Sequence, residues 1–181
     1  EFVHGTTIAT NTLLEKTGSP TALITTQGFE DVLEIGRQNR SDLYDFNVTK
    51  AEPLATQLMR FGIPERTDSN GIIIEDLDNE SLDSIIDKIQ ESGAEAIAIS
   101  LLFSFLNPAH EQQIIDRLKS RLPDMYASIS SEIVPEFREY ERTSTVVINS
   151  YVGPKVSNYM NNLTTKLHHP IRVMQSSGGS I

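Results

Sequence analysis

Three short stretches gather residue types that can do chemistry. The first is His4-Gly5-Thr6-Thr7, inside "VHGTTIATNTLLEKTG". An imidazole, a glycine and two hydroxyls on a strand-to-helix corner suit a phosphate or carboxylate, because free backbone N–H groups face an anion there. The same threonines also serve as a plain helix cap, and spacing leaves both readings open. The second stretch is "SISSEIVPEFREYER", with Ser130, Ser131 and Glu132 after a strand and Arg138, Glu139, Glu141 and Arg142 after the proline. Its plain alternative is a surface ladder of ion pairs, worth a few tenths of a kcal/mol each. The third is "QSSGG", Gln175 to Gly179, where Gly178-Gly179 is also readable as a simple turn. The segment "IGRQNR" can add Arg37, Gln38 and Arg40 from a flap.

Other chemistries are excluded or weakly supported. The 181 residues contain no cysteine, which removes disulfides, thiolate nucleophiles and cysteine-held metals. No metal site is expected: His168-His169 have no third ligand at metal spacing, and His110, early in a helix, reads as exposed and inert. GxxxxGK[ST], GxGxxG and GxSxG are all missing from these residues. A formal charge of −10 with no basic run argues against a nucleic-acid partner. No apolar run reaches the roughly 18–20 residues of a membrane span. A cytoplasmic address and no membrane partner are the expectation.

The elements that must position these residues alternate between strand and helix. "TALITT" reads as a short strand and "FEDVLEIG" as a brief helix. The stretch from Arg37 to about Asp68 has weak periodicity and reads as a long excursion, strand-like near Phe61 to Glu65. "NESLDSIIDKIQESG" carries Leu82, Ile85, Ile86 and Ile89 on one stripe. "AEAIAISLLFSF" is a continuous apolar run of the kind buried on both faces of a parallel sheet. Asn107 is expected to cap a helix beginning at Pro108, whose inner face is Ile114, Ile115, Leu118 and Leu122. Further on, a helical stripe runs from Ile148 to Leu167 through Gly153-Pro154, where a kink or break is expected. The fold class is α/β. Three segments follow from this pass: 1–68, a strand–helix corner plus flap; 69–135, an α/β unit; and 136–181, a kinked helix and final strand.

Five ordered blocks carry a family likeness: "HGTTIATNTLLEKTG", "TALITTQGFEDVLEIGRQNRSDLYD", "LLFSFLNPAHEQQI", "SSEIVPEFREYERTSTVVINSYVGPKVSNYM" and "VMQSSGG". Together they resemble the N-terminal region of the hydantoinase A / 5-oxoprolinase family. The resemblance implies part of an actin-like ATPase (ribonuclease H-like) fold, with a mixed sheet and crossover helices. It also implies ATP with Mg2+, and a cyclic amide substrate such as hydantoin, N-methylhydantoin or 5-oxoproline. By the same likeness His4, Gly5, Thr6 and Thr7 face substrate or phosphate, Ser131 and Glu132 line the same cleft, and Arg142 is offered for an anion. Arg37, Gln38, Gly178 and Gly179 complete that substrate- or phosphate-binding set. The "MQSSGG" block departs from the family's usual Gln-Ser-Asn-Gly-Gly, with Ser177 keeping polarity and hydrogen bonding.

The family's two glycine-rich phosphate turns are not among these residues, so the resemblance implies a piece of a longer enzyme, inactive by itself. Two other functions stay open: a subunit of an ATP-dependent ketone carboxylase of acetone or acetophenone type, and a non-catalytic interaction module. A second hydantoinase-type subunit is an expected partner. Self-association through an uncovered sheet edge is expected as well.

Overall fold

A computed structural model describes residues 2–38, 52–167, 171–174 and 179. Arg40 and the rest of residues 39–51 of the excursion, His168-His169, and Gln175 to Gly178 lie outside the described residues. The chain divides into two compact units, one of residues 1–19 with 152–181 and a larger one of Pro20–Tyr151. These units cut across the three segments drawn from sequence, because the smaller one is assembled from both ends of the chain.

In the larger unit, β2 (Thr21–Thr26), β3 (Arg60–Ile63), β6 (Ala96–Ser100) and β7 (Tyr126–Ile129) form one sheet in the order β3-β2-β6-β7. All three pairings are parallel. β2 and β6 are buried along their whole length, which explains why neither shows polar alternation. Side chains alternate across the sheet instead. Ala22, Ile24, Ile97 and Ile99 enter one layer with Leu82, Ile86 and Ile89 of α3 (Asn79–Ser92) and Ile114 and Leu118 of α4 (Ala109–Arg121). Leu23 and Ala98 enter the other, against Val146 and Val147 of α6 (Glu139–Leu167). Each fully buried aliphatic side chain contributes about 1.5–3 kcal/mol, so both faces of the sheet are anchored. The long apolar run divides: its strand ends at Ser100, and residues 101–106 turn away toward α4.

Local signals set the helix ends. The Asp78 carboxylate accepts from the Glu80 N–H at 3.1 Å and opens α3, and Gly93 closes it at φ 77°, a left-handed position that favours glycine. Asn107 Oδ1 accepts from the Ala109 N–H at 3.1 Å, giving α4 its expected cap. Of the expected kink or break at Pro154, α6 shows no break: the helix is continuous through it. The preceding residue is Gly153, which has no Cβ to clash with the proline ring, so the usual bar to helix before proline is relaxed.

The antiparallel component expected of a mixed sheet stands apart, as a hairpin of β4 (Arg66–Thr67) and β5 (Ile73–Glu75). In the smaller unit β1 (Phe2–His4) pairs in parallel with β8 (Ile171–Val173). α1 (Ile8–Leu14) and the later turns of α6 complete that unit.

Candidate functional site

The order β3-β2-β6-β7 sends the chain from β2 to one edge and, after its return at β6, to the other. The carboxyl ends of β2 and β6 therefore flank the place where the winding reverses, the position at which open α/β sheets build their crevices. A chain of hydroxyls crosses it. Thr25 Oγ1 donates to the Ser100 carbonyl at 2.8 Å, and the Ser100 and Thr143 hydroxyls are 2.8 Å apart.

Arg142 enters the same place from the first turns of α6 and is only 1% exposed, so the surface-ladder reading fails for it. Its terminal nitrogens donate to the carbonyls of Glu136 (3.0 Å) and Leu101 (2.8 Å), and the guanidinium stacks 5.2 Å from the Phe105 ring centre. Nε has no partner. Burial pulls the Arg142 pKa down, opposed by the charges of Glu139 and Glu111.

Glu111, fully buried on α4, is the residue that sequence reasoning missed. It accepts from the Leu101 N–H (2.9 Å), the Ser130 hydroxyl (2.7 Å) and the Ser131 N–H (2.9 Å). The backbone of Leu101 therefore links Glu111, through its N–H, to Arg142, through its carbonyl. The crevice walled by Thr25, Ser100, Glu139, Arg142 and Thr143 measures about 10 Å³, room for about one water. This is a rigid frame that positions the strand ends.

A second buried network lies at the end of β2. Thr26 Oγ1 donates to Glu65 Oε1 and accepts from the Leu102 N–H at 2.9 Å. The other oxygen of Glu65 shares a hydrogen bond with His110 Nδ1 at 2.7 Å. His110 is 3% exposed, so the expectation of an exposed, inert histidine is corrected. Helical position predicted solvent; the buried carboxylate of Glu65 supplies what draws the ring inside.

The "IGRQ" and "REYER" segments come together. Arg37 Nε donates to Glu141 Oε1 at 2.7 Å, and the Tyr140 ring packs over Gly36. Gln38 is exposed, at φ 56°. The hydrogen bond from Arg37 holds the Glu141 carboxyl below its ordinary value of 4.5. A depressed carboxylate stabilises the fold above the unfolded-state pKa and loses that contribution as pH falls through the folded value. We expect the Glu141 carboxyl carbon, followed by NMR, to titrate below pH 4.5 and to move up toward it in Arg37→Gln. An identical midpoint in the two proteins would contradict the pairing. Glu132 is exposed, and Ser131 keeps a buried hydroxyl with no partner.

In the smaller unit, the Thr6 hydroxyl accepts from the Ile8 N–H at 3.2 Å, so Thr6 caps α1 while Thr7 makes no capping bond. His4 Nε2 and the Tyr159 hydroxyl are 2.7 Å apart. Gly5 lies beside Met174. Between α1 and the later turns of α6 runs an open groove of about 360 Å³, lined by Thr6, Thr7, Asn11, Glu15, Lys155 and Tyr159, among others. Gly179 is exposed at φ 88°, as a turn glycine would be. Among the described residues no cluster of three or more His, Asp or Glu is placed to hold a metal, and no helix is long and apolar enough to cross a membrane.

A three-layer α/β unit with an all-parallel sheet and a rigid switch-point frame defines the class of the larger part. Residues 1–122 match the model for the hydantoinase/oxoprolinase N-terminal region, and the chain belongs to that family. An uncharacterized protein of Methanocaldococcus jannaschii is 44% identical over 98% of this chain and 27% of its own length. The alpha subunit of caprolactamase from Pseudomonas jessenii is 36% identical over 98% of this chain. The crystal structure of that ATP-dependent caprolactamase superimposes with a TM-score of 0.92, over 98% of this chain and 27% of the caprolactamase chain. A nucleotide-free acetone carboxylase superimposes with a TM-score of 0.78 at 25% identity, over 99% of this chain and 28% of that one. The chain thus spans about a quarter of the length of these relatives. The expected family and α/β class are both borne out.

Proposed function

We propose that this chain belongs to an ATP-dependent hydrolase that opens cyclic amides of the hydantoin, N-methylhydantoin, 5-oxoproline or lactam type. The observation that carries this reading is the likeness to caprolactamase, 36% identical with a TM-score of 0.92 across nearly the whole chain. Ring opening consumes one water and ATP hydrolysis a second, so coupling the two drives cleavage of a stable bond. The switch-point crevice has room for about one water, not a nucleotide, so in this reading ATP and Mg2+ are held by the whole polypeptide.

Within this reading His4, Gly5, Thr6 and Thr7 face the substrate or a phosphoryl group, and Arg37, Gln38, Ser131, Glu132, Gly178 and Gly179 are the further candidates for binding substrate or phosphate. Arg142 acts as a positioning residue, since its terminal nitrogens already hold two backbone carbonyls. An actin-like frame, a cytoplasmic address, a second subunit and self-association through the β1–β8 pair belong to the same proposal. The name of the caprolactamase relative, a subunit alpha, supports the partner subunit.

A ketone carboxylase subunit is the second reading, favoured by the acetone carboxylase superposition. The test is ADP release by the whole polypeptide with its partner subunit, using cyclic amides in one arm and ketone plus bicarbonate in the other. Stimulation by an amide is the expected result. Stimulation by ketone and bicarbonate alone would overturn it.

A further inference from the structure

We infer that the groove between α1 and the later turns of α6 binds zwitterionic ω-amino acids, the ring-opened form of a lactam; the identity of the ligand rests on the lactam branch of the cyclic-amide reading. Among the described residues only two charged groups line the groove, Glu15 and Lys155. Among the described ion pairs none joins them to each other. Lys155 Nζ donates to Thr17 Oγ1 at 2.7 Å and to the Thr17 carbonyl at 3.5 Å, neutral partners that fix the ammonium and leave its charge and one N–H donor for a ligand.

A pocket with one fixed cation and one separate anion complements a molecule carrying a carboxylate at one end and an ammonium at the other. Opening a lactam creates both groups from a neutral ring. Carboxylating a ketone creates only an anion, which Glu15 would repel.

The rest of the wall suits a polar occupant. Thr6, Thr7 and Asn11 offer hydroxyl and amide groups, and the side chain of Ile8 is the apolar one. Thr12 adds a buried hydroxyl that has no partner. The His4–Tyr159 hydrogen bond sets the ring of Tyr159, which lines the groove. The volume of about 360 Å³ falls at the small-ligand end of known pockets.

The test uses the whole polypeptide with its partner subunit and measures binding of 6-aminohexanoate, hexanoate and hexylamine by calorimetry. We expect 6-aminohexanoate to bind about two- to fivefold tighter than either single-charge analogue, as exposed ion pairs allow. Lys155→Met should abolish its advantage over hexylamine, and Glu15→Gln its advantage over hexanoate, both with unchanged melting temperature because the two side chains are exposed. Equal binding of the three ligands, or wild-type binding by both variants, would overturn the inference. Flat binding in an enzyme that still releases ADP with a cyclic amide overturns the groove alone. Discrimination that persists where no amide stimulates ADP release keeps the groove and sinks the amide reading.

Discussion

Glu111→Ala should lower the stability of the protein by about 3–5 kcal/mol, the sum expected when several buried donors are left unsatisfied at about 1–3 kcal/mol each. Three donors, the Leu101 and Ser131 N–H groups and the Ser130 hydroxyl, lose their acceptor at once. Arg142 loses the buried anion that opposes its desolvation across the Leu101 backbone. For a chain of this size that is a fall in melting temperature on the order of 10 °C. Glu132→Ala, three residues after the β7 strand and exposed, should stay within about 0.5 kcal/mol of the parent in the same urea titration. Equal stabilities for the two variants would remove Glu111 from the frame.

The second large effect concerns Glu65 and His110. A double-mutant cycle with Glu65→Gln and His110→Phe should give a coupling of about 1–3 kcal/mol, because each substitution leaves the other side chain buried without its partner. Both residues are at least 97% buried, so water cannot substitute for the lost bond. Strict additivity of the two single effects would show that the pair only fills space. The network also ties Thr26, at the end of β2, to the turn after β6 through the Leu102 N–H. Loosening it should therefore disturb the same strand ends that Arg142 and Glu111 hold.

The architecture of the larger unit was readable because its signals are local. Apolar runs at 21–26 and 96–100, the α3 stripe and the Asn107 cap each specify an element without reference to the rest of the chain. At Pro154 the local rule about proline left kink and break open, and with a glycine neighbour the long helix runs on without a break. The buried polar network was not readable. Glu111 looks like any acidic residue in a first helical turn, and Glu65 and His110 stand 45 positions apart, with nothing in their spacing to announce a contact. Arg142 shows the same limit, since an arginine among Glu139 and Glu141 has the pattern of a solvated ladder yet lies in the core. The likeness among ordered blocks conveyed family where spacing conveyed only fold class.

The most direct test of the central claim follows the substrate. The whole polypeptide with its partner subunit is incubated with ATP and a lactam or 5-oxoproline, and ring-opened product and ADP are counted by mass spectrometry. The account predicts a ring-opened amino acid formed only with ATP present, in step with ADP. Intact amide alongside a carboxylated product from ketone and bicarbonate would contradict it.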